Sequence, residues 1–87
     1  MKKYKEDIIK NVCYTDLVYD RINKKLNANY SPKEIEDLIL KILNDTDYKF
    51  FSRKGKNIYV SSMKYNIRIT INSNTNRIIT VDRIKKA

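Results

Sequence analysis

The segment NIRITINSNTNRIITVDRI, residues 66–84, alternates apolar and polar side chains on both sides of an Asn-rich centre. A period of two is typical of β-strands that bury one face, and clusters of Asn, Ser and Thr are typical of the turns between strands. We therefore interpret NIRITINS and RIITVDRI as an antiparallel hairpin. One face of its first strand would carry Arg68, Thr70 and Asn72, and the sequence leaves open whether this row binds a ligand or is only the solvated side.

The register of this hairpin follows from its apolar residues, because a slip by one residue would move every core side chain into water. Placing Ile71 opposite Ile79 and Ile69 opposite Val81 buries four aliphatic side chains together. Residues 74–76 then form a three-residue loop, in which an Asn can take the left-handed conformation usually given to Gly.

The same register places Arg68 opposite Asp82 and Thr70 opposite Thr80. Opposite charges and Thr–Thr pairs across neighbouring strands each stabilise a sheet by about 0.2 to 1 kcal/mol. Arg68 is therefore expected to have an internal partner, which lowers its value as a ligand for phosphate.

A second hairpin precedes the first. The segments YKFFSR and NIYVSS flank Lys54-Gly55-Lys56, where the only glycine of the chain suits a tight turn with positive φ. The sequence therefore predicts an antiparallel sheet of about four strands, with a basic tip on its first hairpin.

The first half of the chain has the periodicity of helices. YSPKEIEDLILKILND, residues 30–45, opens with Ser31 as N-cap, Pro32 at the first helical position and Glu34 three residues after the cap, which is a capping box. Residues 44–47 end this helix. Its expected apolar stripe consists of Ile35, Leu38, Ile39 and Ile42, widened by Leu40 and Leu43.

Two shorter helices are expected before it, at residues 4–12 and 15–26. The whole chain, residues 1–87, is interpreted as a single α+β domain, with two or three helices at residues 4–43 followed by the antiparallel sheet at residues 48–84. The apolar positions of the two short helices are Ile8, Ile9, Val12, Cys13, Leu17, Val18, Ile22 and Leu26.

The chain of 87 residues has a formal charge of +9, from 19 basic and 10 acidic residues. Such an excess favours polyanionic partners such as nucleic acid. Lys, Asn, Ile and Tyr are all encoded by A/T-rich codons, so a biased genome offers a second explanation for the lysines.

The residue inventory excludes several chemistries. The chain has no His, one Cys and one Gly, so His-based catalysis, a Cys-ligated zinc site and a glycine-rich phosphate loop are not possible. We expect no cofactor and no metal. Cys13 has apolar neighbours and is expected to be a buried structural thiol, and a single cysteine without a signal peptide or membrane span favours the cytoplasm.

NVCYTDLVYDRINKKLNANYSPKEIEDLILKIL together with NIRITINSNTNRIITVDRIKK resembles a small bacterial family catalogued as a domain of unknown function. RINKKL and the hairpin segments ITINS and RIITVDRI carry the resemblance, which spans nearly the whole chain. It implies a compact protein of bacteria or mobile elements and transfers no active site.

The function that we expect from these features is non-catalytic binding of nucleic acid, RNA or DNA, or of a nucleic-acid-binding protein complex such as a ribonucleoprotein. Basic side chains next to an aromatic ring combine phosphate binding with base stacking. An exposed sheet edge would also permit a homodimer. The candidate binding residues are Arg53, Lys54, Lys56, Tyr59, Arg68, Arg83, Lys85 and Lys86.

Two alternatives stay open at this point. A small basic chain with helices followed by antiparallel strands is similar in outline to RelE-type toxin ribonucleases, which would make it an enzyme. A small domain without catalytic equipment is also compatible with a phage-borne inhibitor of an RNA-guided nuclease.

Overall fold

The computed structural model describes the backbone of residues 2–84 and the side chains of residues 4–84. Helices come first and strands follow, which confirms the predicted α+β architecture, and the described residues contain three helices. The elements are α1 (Lys2–Asn11), α2 (Asp16–Leu26), α3 (Pro32–Asp45), a 3₁₀ turn (Tyr48–Phe50), β1 (Phe51–Lys54), β2 (Asn57–Ser62), β3 (Ile67–Asn72) and β4 (Ile78–Arg83).

Helix α3 begins and ends where local chemistry predicts. The Ser31 hydroxyl accepts a hydrogen bond from the Glu34 backbone N–H at 3.2 Å, and the Glu34 carboxylate accepts one from the Ser31 N–H at 2.8 Å. This capping box satisfies two backbone donors that the helix leaves unpaired, and Pro32 occupies a position where its missing N–H costs nothing. The helix ends at Asp45, within the predicted stop at residues 44–47.

The two shorter helices differ from their predicted bounds by one or two residues. Helix α1 covers Lys2–Asn11 instead of residues 4–12, and α2 covers Asp16–Leu26 instead of residues 15–26. Helix α2 ends because Asn27 adopts the left-handed conformation, with φ 52°. The N–H groups of Asn27 and Ala28 then reach back to carbonyls of the last turn.

The four strands form an antiparallel meander in the order β1-β2-β3-β4. In the last hairpin, the structure pairs Arg68 with Asp82, Ile69 with Val81, and Thr70 with Thr80, as predicted.

The pairing of Ile71 with Ile79 is wrong, because Ile71 faces Ile78 across a bulge. The Asn72 side chain accepts hydrogen bonds from the two N–H groups of residues 74 and 75, and the Asn72 N–H bonds to the Arg77 carbonyl at 2.9 Å. The loop therefore has four residues, 73–76, with Asn76 in the left-handed conformation at φ 60°. The bulge absorbs the extra residue, so that Ile78 is buried and Ile79 is half-buried.

The first strand starts later than predicted. We expected strand structure from Tyr48, but Tyr48–Phe50 forms a 3₁₀ turn and β1 begins at Phe51. The Asp47 carboxylate accepts a hydrogen bond from the Lys49 N–H at 3.1 Å, and the Asp47 carbonyl accepts one from the Phe50 N–H at 3.0 Å. A side chain that bonds its own backbone in this way competes with strand formation.

The helices pack on one face of the sheet, and the core lies between them. Along β2, the residues of this face are buried while those of the opposite face are half-buried. No helix packs on the opposite face in the part of the chain that the structure describes. The core consists of Ile8, Val18, Ile22, Leu26, Ile35, Ile39, Ile42, Leu43, Ile58, Val60, Ile67, Ile69, Ile71, Ile78 and Val81.

Cys13 is exposed, which corrects the prediction of a buried thiol. Its backbone forms an isolated parallel bridge with the start of β4. The Cys13 N–H donates to the Asn76 carbonyl, and its carbonyl accepts from the Ile78 N–H, both at 2.9 Å. The segment between α1 and α2 therefore runs along the sheet edge, which takes Cys13 out of the core.

Two leucines of the predicted apolar stripes also face solvent. Leu17 is 74% exposed, although its neighbour Val18 is fully packed. Each residue of a helix is rotated by about 100° from the one before it, so the stripe of Val18 and Ile22 turns Leu17 away from the sheet. Leu40 is 36% exposed in α3, whereas Leu43 is buried.

Candidate functional site

The face of the sheet that no helix covers is polar, and we call it the open face. Its residues alternate with the buried ones along the strands. Thr70 lies at its centre and is itself buried among its neighbours, opposite Thr80. The open face therefore presents hydroxyls, amides and charged groups instead of an apolar surface.

Three residues of the open face form a diagonal row over β1, β2 and β3. Tyr59 lies opposite Ser52 on one side and opposite Thr70 on the other. Lys54 is two residues beyond Ser52 and Arg68 two residues before Thr70, so each is a diagonal neighbour of Tyr59. Diagonal neighbours are roughly 7 to 8 Å apart, within reach of long side chains.

Two side chains of this row, Arg68 and Tyr59, contact each other, and Lys54 lines the same depression. The Arg68 Cζ lies 5.9 Å from the centroid of the Tyr59 ring, a cation–π arrangement. The Asn57 amide donates to the Tyr59 hydroxyl at 3.3 Å and so orients the ring. A shallow depression of about 420 Å³ is lined by Ser52, Lys54, Tyr59, Ser61 and Arg68.

Arg68 has a different partner from the one that the register suggested. It does lie opposite Asp82, but the Asp82 carboxylate binds the Lys25 ammonium of α2 at 3.1 Å. Among residues 4–84, no carboxylate forms a salt bridge with Arg68 or with Lys54. Both cations are therefore available to an anionic ligand.

The tip of the first hairpin is anchored at the same end of the sheet as the loop of residues 73–76. Gly55 adopts φ 62°, as expected for the tight turn. The Ser73 N–H donates to the Lys56 carbonyl at 2.7 Å, which ties the tip to that loop. Lys56 is exposed at this tip.

The structure does not bring the other predicted binding residues into this row. Arg53 lies opposite Ile58, on the helix side of the sheet, and its Nε donates to the Gly55 carbonyl at 3.4 Å. Burial raises the pKa of Tyr4 in α1, and the charge of Arg53 opposes this shift, which places Arg53 near that helix. We therefore assign Arg53 to the opposite side from Tyr59.

Arg83 stabilises the packing of α2 on β4. Its guanidinium donates to the Leu26 carbonyl at 2.9 Å, at the C-terminus of α2, where a cation complements the helix dipole. Lys85 and Lys86, the two remaining predicted residues, lie outside the described residues.

Sequence reasoning missed how unevenly the charge is distributed. Residues 1–47 contain nine basic and nine acidic residues, whereas residues 48–87 contain ten basic and one acidic. The whole net charge thus belongs to the sheet half, and the only acid there, Asp82, is paired with Lys25 from the helical half. Counting the two halves separately would have found this signal in the sequence.

Two tyrosines of the helical side, Tyr14 and Tyr19, have raised pKa values, and both lie away from the open face. The Tyr19 hydroxyl donates to the Glu36 carboxylate at 2.6 Å, and this hydrogen bond raises the pKa of Tyr19 to about 12. Burial raises the pKa of Tyr14, whose ring stacks on that of Tyr19 with 5.6 Å between centroids. Both phenols stay protonated at neutral pH, in keeping with a structural role.

Residues 4–84 contain no group of three or more His, Cys, Asp or Glu placed to hold a metal ion. None of the three helices, as described, is long and apolar enough to cross a membrane.

Fold and open face together define a small α+β domain whose helices cover one side of a four-stranded sheet. The family model described as "Protein of unknown function (DUF3781)" matches residues 6–82, and the chain belongs to this family. No match was found among the curated proteins, and none among the solved structures.

Proposed function

We propose that the open face of the sheet binds nucleic acid and does so without catalysis. The observation that carries this proposal is the diagonal row Lys54–Tyr59–Arg68, in which an aromatic ring lies between two cations that have no carboxylate partner among residues 4–84. The ring supplies a surface on which a base stacks, and the cations bind the phosphates on either side of it.

The surroundings of the row suit a polar ligand with a repeating anionic backbone. Ser52 and Ser61 place hydroxyl groups beside Tyr59, in the same depression. Hydroxyl groups donate to phosphate oxygens and to sugar or base atoms. A small-molecule site, by contrast, is usually deep and mostly apolar, whereas the depression on the open face is shallow and lined mainly by polar residues.

The charge distribution supports the same ligand. Because the helical half carries no net charge and the sheet half carries all of it, the electrostatic potential steers a polyanion toward the sheet. Lys56 at the hairpin tip extends the positive surface beyond Lys54.

We propose that the monomer is the binding unit. The β4 edge is covered at its start by the Cys13 bridge to Arg77 and at Ile79 by the Arg21 side chain, and β1 forms the other edge. Strand β1 has four residues and carries Arg53 and Lys54. Basic residues on a short edge strand oppose pairing with a second copy.

The test is binding of a fluorescent single-stranded oligonucleotide, measured by anisotropy, to the wild type, Tyr59→Ala and Tyr59→Phe. Stacking of a base on an aromatic ring is worth about 1 to 3 kcal/mol, so Tyr59→Ala should raise Kd by about 5- to 140-fold. Tyr59→Phe keeps the ring and should bind nearly as the wild type does. A Kd for Tyr59→Ala within about twofold of the wild type would contradict the proposal.

A further inference from the structure

The geometry points to a second stacking platform at Phe50, which makes the ligand of the open face a single-stranded nucleic acid that lays at least two separated bases on the sheet. This inference rests on the proposed function and narrows its ligand. It is carried by the position, exposure and cationic neighbour of Phe50.

Phe50 lies in the 3₁₀ turn directly before β1. This turn is next to the end of β2, where Ser61 is a residue of the open face. Phe50 and Ser61 line a depression of about 220 Å³ at this end of the sheet. Ser61 also lines the depression around Tyr59, so the two depressions are adjacent and share one wall.

Phe50 shares with Tyr59 a cation beside its ring, although Asp45 and Asp47 also line its depression. Phe50 is 40% exposed, and the Lys49 ammonium lies 5.4 Å from the centroid of its ring. At Tyr59, the Arg68 guanidinium lies 5.9 Å from the ring centroid. Lys49, like Arg68, forms no salt bridge with any carboxylate of residues 4–84. Each aromatic ring therefore has its own available cation.

The 3₁₀ turn holds Phe50 in place before any ligand binds. Asp47 accepts hydrogen bonds from the N–H groups of Lys49 and Phe50. The Lys5 ammonium of α1 donates to the carbonyls of Asn44 at 3.0 Å and Thr46 at 2.5 Å, which anchors the chain just before the turn. An exposed ring on an anchored turn loses little conformational entropy when a ligand binds.

The placement of the two rings in separate depressions selects a single strand. The depressions of Phe50 and Tyr59 are adjacent and share Ser61, but each holds one ring. Successive bases of a duplex are about 3.4 Å apart along each strand and stack on one another, so they offer no free faces to two separate rings. A single strand can separate its bases and place one on each ring.

The experiment compares two probes with the same number of phosphates. One is an octathymidylate, and the other is an eight-position strand with a single thymine and seven abasic sites, which can place a base on only one ring at a time. Binding is measured for the wild type, Phe50→Leu, Tyr59→Ala and Tyr48→Leu. Tyr48 is the matched control because it is equally exposed, at 41%, but lines a different depression, with Lys5 and Glu6.

We expect the preference of the wild type for the octathymidylate to exceed that of Phe50→Leu by about fivefold or more, since a second stacked base adds to the affinity. The several registers open to a strand of eight thymines favour it equally in both proteins and cancel in this comparison. Tyr48→Leu should keep the preference of the wild type. Repeating the series with octauridylate distinguishes RNA from DNA as the favoured source of the strand.

Two outcomes would separate failure of this inference from failure of the proposed function. If Tyr59→Ala weakens the binding of both probes and Phe50→Leu keeps the wild-type preference for the octathymidylate, the second platform is refuted and the Tyr59 site stands. If Tyr59→Ala changes neither Kd, the open face is not the binding site and both conclusions fail. Circular dichroism and thermal melting of each variant establish that it is folded.

Discussion

Replacing Lys54 and Lys56 by Gln should lower both the affinity for single-stranded nucleic acid and its dependence on salt. Lys54 and Arg68 of the open face and Lys56 of the hairpin tip have no carboxylate partner among residues 4–84. Each phosphate neutralised on a single strand contributes about −0.7 to the slope of log K against log salt concentration. The three together predict a slope of about −2 for the wild type and about −0.7 for the double variant.

These slopes translate into a large difference in a simple titration. Between about 50 and 200 mM salt, the wild type should lose roughly 20-fold in affinity and the double variant roughly threefold. If Lys49 contributes a fourth contact, both slopes become steeper by about 0.7, but their difference of about 1.4 stays the same. Anisotropy titrations of one labelled oligonucleotide at four salt concentrations measure both slopes.

The matched control is the double substitution of Lys33 and Lys41 by Gln, since both lysines are exposed on α3. This control removes the same charge from the helical side, and we expect it to keep the slope of the wild type. The reasoning would be refuted if Lys54→Gln/Lys56→Gln kept the slope of the wild type, or if the α3 control flattened it equally.

Two further predictions concern residues outside the proposed interface. Arg83→Ala should lower the free energy of unfolding in urea by about 1 kcal/mol, because it removes the cation at the C-terminus of α2. It should not change the slope of log K against log salt concentration. Weaker nucleic-acid binding at unchanged stability would instead place Arg83 in the interface. The stabilisation that Tyr19 gains from Glu36 should be fully present below the usual tyrosine pKa of 10.0 and be lost as the pH rises through its raised pKa of about 12. In thermal melts from pH 9 to 12, the Tm of the wild type should therefore fall more steeply than the Tm of Tyr19→Phe. Parallel curves of Tm against pH would argue against the hydrogen bond between Tyr19 and Glu36.

Local signals in the sequence were sufficient for the helices and for most of the last hairpin. The capping box of α3 involves residues within three positions of one another, so tertiary contacts are not needed to recognise it. The pairing of Ile69 with Val81 followed from the need to bury both side chains. The bulge was missed because the amide of Asn72 starts the loop earlier than the pattern of apolar residues indicates.

The candidate site was only partly predictable. Tyr59, Lys54 and Lys56 were found because they are close in sequence to the hairpin tip. Phe50 was not among the predicted binding residues, because its exposure and its cationic neighbour Lys49 are seen only in the folded chain. Arg83 was included because its charge was visible, whereas its partner in α2 is 57 positions away.

The sequence by itself determined the α+β class, the capped third helix, the period-two strands and the excess of positive charge, because each depends on composition or on residues close together along the chain. The tertiary structure alone decided which face of the sheet stays open and which cations face it. Lys25 reaches across from α2 to Asp82 and so leaves Arg68 to lie over Tyr59. Such a choice between partners depends on how helices and strands pack in three dimensions, and no local pattern encodes it.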